Sequence, residues 1–132
     1  MLREQPITPG TAVFIECKSE ENNYAVVFED DTDTGYFYAM EIEPATGNER
    51  ILDALHIYQI GDEDTPQPGI LRIMWSTDWL KCALIIDNNC HAIFDFENHG
   101  GYNLTQFPPP NEIWTQRGRE MSEELVIQLF GK

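Results

Sequence analysis

Four residues near the middle of the chain have the types and spacing that could do chemistry: His91, Asp95, Glu97 and His99. All four share one parity, so an unbroken strand would set them on one face, with residues two apart separated by about 6.8 Å at the α-carbons. Asp95, Glu97 and His99 could then converge on a cation, and this set defines a small metal-dependent enzyme as one alternative. A zinc site needs three or four ligands held by partners of their own, and Gly100-Gly101 marks the end of the strand. A polar outer face running into a loop is therefore the preferred reading. His91 and Asp95 would work as an acid–base pair only within hydrogen-bond reach of a shared proton. The acidic stretch Asp30-Asp31-Thr32-Asp33-Thr34-Gly35 suggests calcium, but counting from Asp31 puts Gly35 fifth and Ile42 twelfth. A calcium loop needs glycine at the sixth position and a bidentate Glu at the twelfth. Nucleophile elbows, phosphate loops, HExxH helices and nucleotide-binding glycine patterns are absent from the sequence. The three cysteines, Cys17, Cys82 and Cys90, lack metal-like spacing, and Cys17 and Cys82 read as small buried hydrophobes. No catalytic, cofactor-binding or metal-ligating residue is assigned on these grounds.

Charge points to binding instead. The 23 acids against 8 Lys plus Arg give a formal net charge of −15, and residues 1–64 carry 15 of those acids but only 3 of the bases. Such a field repels nucleic acid and anionic lipid and draws in basic proteins. Two acidic loops would meet such a partner, one with Asp30, Asp31 and Asp33 and the other with Asp62, Glu63 and Asp64. Tyr102, Phe107 and Trp114 flank three prolines, and aromatics on a rigid loop suit protein recognition when they face outward. Turned inward they would anchor the loop on the sheet, which is the favoured reading because long loops in small domains need pinning. The expected function is a non-enzymatic module docking a basic protein, as an immunity protein docks a toxic nuclease. A regulatory or structural accessory protein, monomeric or paired through a strand edge, is a further alternative. No cofactor is expected, and neither nucleic acid nor membrane is an expected partner.

The elements that must position these residues are mostly strands. Apolar content of 42% in 132 residues supports a real core and a single domain spanning 1–132. No run reaches membrane-spanning length and MLREQPITPG is no signal segment, so the cytoplasm is the expected compartment. Residues 70–97 form the centre. Leu71, Ile73 and Trp75 share one face of a strand, Leu80, Cys82, Leu84 and Ile86 one face of the next, and Ala92, Phe94 and Phe96 one face of a third. A two-residue turn within Asp87-Asn88-Asn89-Cys90 would set Ile85 opposite Ala92 and Ala83 opposite Phe94. Further strands are expected at TAVFIEC (11–17), YAVVFED (24–30) and YFYAMEIE (36–43), the last alternating Tyr36, Tyr38, Met40 and Ile42 against Phe37, Ala39, Glu41 and Glu43. RILDALHIYQI (50–60) fits helix or strand, and its β-branched and aromatic content favours a strand from about Ala54. Residues 1–10 read as an extended lead-in, 98–103 as a flexible loop, and Arg117 to Arg119 as a polar connection. Ser122 to Gly131 is a helix, with Ser122 as N-cap and Leu125, Val126, Leu129 and Phe130 as an apolar stripe able to cover a sheet face. The expected fold is α+β, a predominantly antiparallel sheet of six to seven strands with one C-terminal helix packed on it.

Four segments together resemble a known family: VVFEDDTDTGYFYAMEIE, ILDALHIYQI, MWSTDWLKCALIIDNNCHAIFDFEN and GYNLTQFPPPNEIW. They are similar to small acidic bacterial proteins catalogued as a domain of unknown function, over residues 24 to 114. The resemblance implies a bacterial source and a self-contained domain. It implies no activity, so it contributes no site residues.

Overall fold

The structure, a computed structural model, describes residues 2–61, 67–109 and 118–130. It is mostly antiparallel sheet with one short C-terminal helix, as expected, but among the described residues the strands number nine and divide between two sheets. The strands are β1 (Leu2–Ile7), β2 (Val13–Lys18), β3 (Tyr24–Asp30), β4 (Thr34–Ile42), β5 (Glu49–Gln59), β6 (Gly69–Trp75), β7 (Lys81–Ile86), β8 (Asn89–Asp95) and β9 (Gly100–Asn103). One sheet has the order β1-β6-β7-β8-β9 and the other β2-β3-β4-β5. The helix, α1 (Glu123–Phe130), follows β9 in the chain.

The need for a second sheet follows from side-chain alternation. Ile15, Val26, Phe28, Phe37, Ala39, Leu55 and Ile57 line the inner face of the four-stranded sheet, and Leu71, Ile73, Trp75, Cys82, Leu84, Ala92 and Phe94 that of the five-stranded one. Neither face can meet water, so each covers the other. Aromatic rings lock the two layers together: Phe37 stacks on Phe94 at 5.0 Å between centroids and Tyr24 on Phe96 at 4.5 Å. Such offset contacts between rings add to the area they bury. The partner of the 70–97 meander is thus mainly β2–β5 rather than the helix. α1 is capped as its sequence indicates, with the Leu125 amide donating to Ser122 Oγ at 3.1 Å. It lies by Cys90 and Leu104, with Leu125, Val126 and Phe130 half-buried.

Three strands differ from expectation. β1 pairs along β6 from Leu2↔Met74 to Ile7↔Gly69, although its residues are exposed apart from half-buried Gln5 and buried Ile7, which gives it no apolar rhythm. It is an edge strand, the one place where Pro6 can sit in a sheet. β5 starts at Glu49, five residues before Ala54, because a bulge between Ala39/Met40 and their partners absorbs Leu52 and disrupts the alternation. β9 pairs with β8 through Gly100 and Gly101, residues that otherwise read as loop. The β7–β8 turn also differs: Asp87 and Asn88 carry the positive φ angles, 50° and 68°. Leu84 therefore faces Ala92 and Cys82 faces Phe94, one step away from the expected register. A bulge after Leu84 restores inward alternation on both strands.

Candidate docking face

The outer face of the four-stranded sheet is built by the residues that alternate with the core. Register sets Phe14 beside Glu29, Glu29 beside Tyr36 and Tyr36 beside His56. The next row holds Glu16, Val27, Tyr38 and Ala54, and the next Lys18, Ala25, Met40 and Ile51. Ala25, Val27 and Met40 form a small apolar cluster with Tyr38 and Ile42 packed against it. Phe14 and Ile51 are exposed to 63% and 59%. The clean alternation of β4 makes this face legible: Phe37 and Ala39 point in, so Tyr36 and Tyr38 must point out.

Aromatic rings run across the face in sequence. Tyr36 and Tyr38 stack with centroids 5.9 Å apart, His56 meets the Tyr36 ring edge-on at 5.5 Å, and Phe107 meets His56 at 6.0 Å. The segment after β9 clamps His56 in place. The His56 amide donates to the Phe107 carbonyl, its own carbonyl accepts from Asn103 Nδ2, and its Nδ1 lies 3.2 Å from Thr105 Oγ1. Burial lowers the pKa of His56, favouring the neutral ring. Tyr38 is pushed the other way, first by burial and then by the negative charges of Glu29 and Asp31. Those carboxylates therefore act on the rings as well as on solvent.

The three acids at the β3–β4 turn have different jobs. Asp31 and Asp33 are exposed. Amides of Thr34 and Asp33 donate to the Asp31 carboxylate and hold its pKa below the ordinary value. Asp30, grouped with them as a docking residue on sequence, is 1% exposed. It accepts from the Gly10 amide (2.8 Å), the Thr32 amide (2.8 Å) and the Tyr58 hydroxyl (2.6 Å), which ties the β1–β2 turn to the β3–β4 turn. A carboxylate turned inward to three donors cannot meet a partner, so Asp30 is a structural residue. Gly35 permits the arrangement, since a Cβ there would lie 2.8 Å from the Tyr58 ring.

The other expected positions fall as follows. Phe107 is 52% exposed, at the end of the aromatic row, and Tyr102 is half-buried on β9. Asp62, Glu63, Asp64 and Trp114 lie outside the described residues. The His91, Asp95, Glu97 and His99 set does not converge. Asp95 is 2% exposed and its carboxylate accepts from the amides of Glu97 and Asn98 and from Asn98 Nδ2, closing the turn after β8. Glu97 pairs with Lys81 at 3.1 Å. Among the described residues no three His, Cys, Asp or Glu side chains are grouped as metal ligands would be.

Sequence reasoning missed one polar centre. Arg119, expected in a polar connection, is 3% exposed and makes a two-pronged ion pair with Asp53 at 2.7 and 2.8 Å. It also donates to the carbonyls of Gly101 and Pro108. Gly101 makes room, because a Cβ would come within 2.5 Å of Asp53 Oδ2. The available signal was the isolated Asp53 between apolar residues of β5, which needs a cation once buried.

Comparison with known proteins agrees with the sequence resemblance. A family model described as an uncharacterized protein conserved in bacteria (DUF2251) matches residues 7–130. A Haemophilus influenzae protein, named only as an uncharacterized protein, is 35% identical over 112 residues, which is 83% of this chain and 67% of that one. No solved structure matches the chain. No described helix is long and apolar enough to cross a membrane. The chain belongs to the DUF2251 family of conserved bacterial proteins.

Proposed function

We propose that the chain is a non-enzymatic binding module that docks a basic protein on the outer face of its four-stranded sheet, in the manner of an immunity protein on a basic nuclease. One observation carries this reading: the excess of acids over bases is larger on the four-stranded sheet than on the five-stranded one. On the five-stranded side Arg72 pairs with Glu4 and Lys81 with Asp78 and Glu97. On the four-stranded side Lys18 pairs with Glu16 and Arg50 with Glu41, which leaves Glu29, Asp31, Asp33, Glu43 and Glu49 in excess. An apolar and aromatic centre with a rim of one charge is the composition of a protein-binding surface. Two copies would present the same negative rim to each other, so a basic partner fits better than a second copy.

Affinity capture from bacterial lysate at low and at high salt tests the reading. Retention of a basic protein at low salt, lost as salt rises, is the expected result. Absence of any retained basic protein at low salt would overturn it.

A further inference from the structure

The aromatic row does more than make the docking face apolar, and the inference that follows rests on the docking reading above. We propose that Tyr36 and Tyr38, with Glu29 beside them, receive an arginine side chain of the basic partner, the guanidinium lying over the rings and its N–H groups meeting the carboxylate.

Three features of the face support arginine. Tyr36 and Tyr38 project from the same side of β4 and stack at 5.9 Å with 21° between ring planes, giving a broad surface of aromatic faces and edges. A cation within about 6 Å of such a ring is attracted by its quadrupole, and arginine, being planar and weakly hydrated, stacks better than lysine. Glu29 is directly opposite Tyr36 in the β3–β4 register, where a guanidinium fork can reach it. The row is also held before any partner arrives, because Thr105, Asn103 and Phe107 fix His56, and His56 packs edge-on to Tyr36. Little ordering entropy is then lost on binding. The field on the Tyr38 phenol has the matching sign: Glu29 and Asp31 both disfavour its ionisation. Burial keeps His56 toward its neutral form, so the ring beside the site does not repel a cation.

Titration with tetra-arginine and tetra-lysine peptides, followed by amide and aromatic NMR shifts at low salt, tests this. Tetra-arginine should bind about tenfold more tightly than tetra-lysine and shift Tyr36, Tyr38 and His56. Tyr36→Leu/Tyr38→Leu, which keeps apolar bulk on the strand, should abolish the preference. Glu29→Gln leaves the rings in place and should weaken tetra-arginine several-fold more than Glu124→Gln on the helix. Equal binding of the two peptides, with shifts confined to the acidic turns, would overturn the arginine site and leave the docking reading standing. Failure of both peptides to bind at low salt would count against the docking reading itself.

Discussion

Replacing Asp30 by Ala would leave the Gly10 amide, the Thr32 amide and the Tyr58 hydroxyl without their acceptor. Orphaning buried or half-buried donors costs about 1–3 kcal/mol each. Chemical denaturation of Asp30→Ala should therefore show a loss of about 3 kcal/mol, with Asp30→Asn losing less because one carbonyl acceptor remains. A wild-type-like midpoint would contradict the buried role. Single residues of this kind are hard to read in a sequence. In a run such as EDDTDT, nothing local separates the acid that turns inward from its exposed neighbours; the distinction depends on Tyr58 and Gly10, far along the chain. Phe94 was easier, since strict alternation marks it as core, and Phe94→Ala should cost about 3–5 kcal/mol. Histidines add a pH dependence. Burial lowers the pKa of both His56 and His91 below the usual value near 6.5. The unfolded chain then takes up protons first as pH falls, so this stability is intact above about pH 6.5 and is lost as pH drops through the folded-state values. Denaturation midpoints measured from pH 7.5 down to about 5 should decline, and His91→Gln should flatten the decline.

Among the elements, the strap formed by residues 103–108 and Arg119 joins the two sheets at the edge where β5 meets β9. Arg119 and Asp53 are both sealed from water, so removing one partner strands a charge. Arg119→Ala should cost about 3–5 kcal/mol in thermal or chemical unfolding. Asp53→Leu combined with Arg119→Met should cost clearly less than the two single changes summed, since no unpaired charge remains. Additive losses would contradict a coupled pair. The strands differ in how visible they were. β2, β4 and β6–β8 follow from alternation, because each presents an apolar face to the core, and β3 from a continuous apolar run of β-formers. β1 hides behind the polar residues of an edge strand, the start of β5 behind a bulge, and β9 behind two glycines, of which Gly101 makes room for Asp53 and Arg119 and Gly100 for the Tyr102 ring. The helix was visible from Ser122 and its acidic first turn, yet its apolar stripe suggested a larger role as a cover than eight residues beside β8 fulfil. The 70–97 meander called for a cover, for which the sequence offers the helix; that the cover is a second sheet, and the pairing order between distant strands, have no local signature.

At the scale of the molecule, one face differs from the other in charge balance and in what lies over it. The five-stranded sheet carries Arg3, Arg72 and Lys81 and has α1 beside β8; the four-stranded sheet carries the aromatic row and the larger acidic excess, with no described helix or strand over it. The acidic excess was plain in the sequence, but its sidedness required the fold to place β2–β5 in one layer. Electrostatic association of this sort should slow and weaken as ionic strength rises, chiefly through the on-rate. The most direct measurement places a photo-crosslinking residue at position 38 in one variant and at position 104 in another, both expressed in the native bacterium. Leu104 is exposed on the side of the five-stranded sheet and serves as the reference. The expected result is a discrete adduct with a basic protein from position 38, diminished by salt, and none from position 104. Equal labelling from both positions, or an adduct from position 104 alone, would contradict docking on the four-stranded sheet.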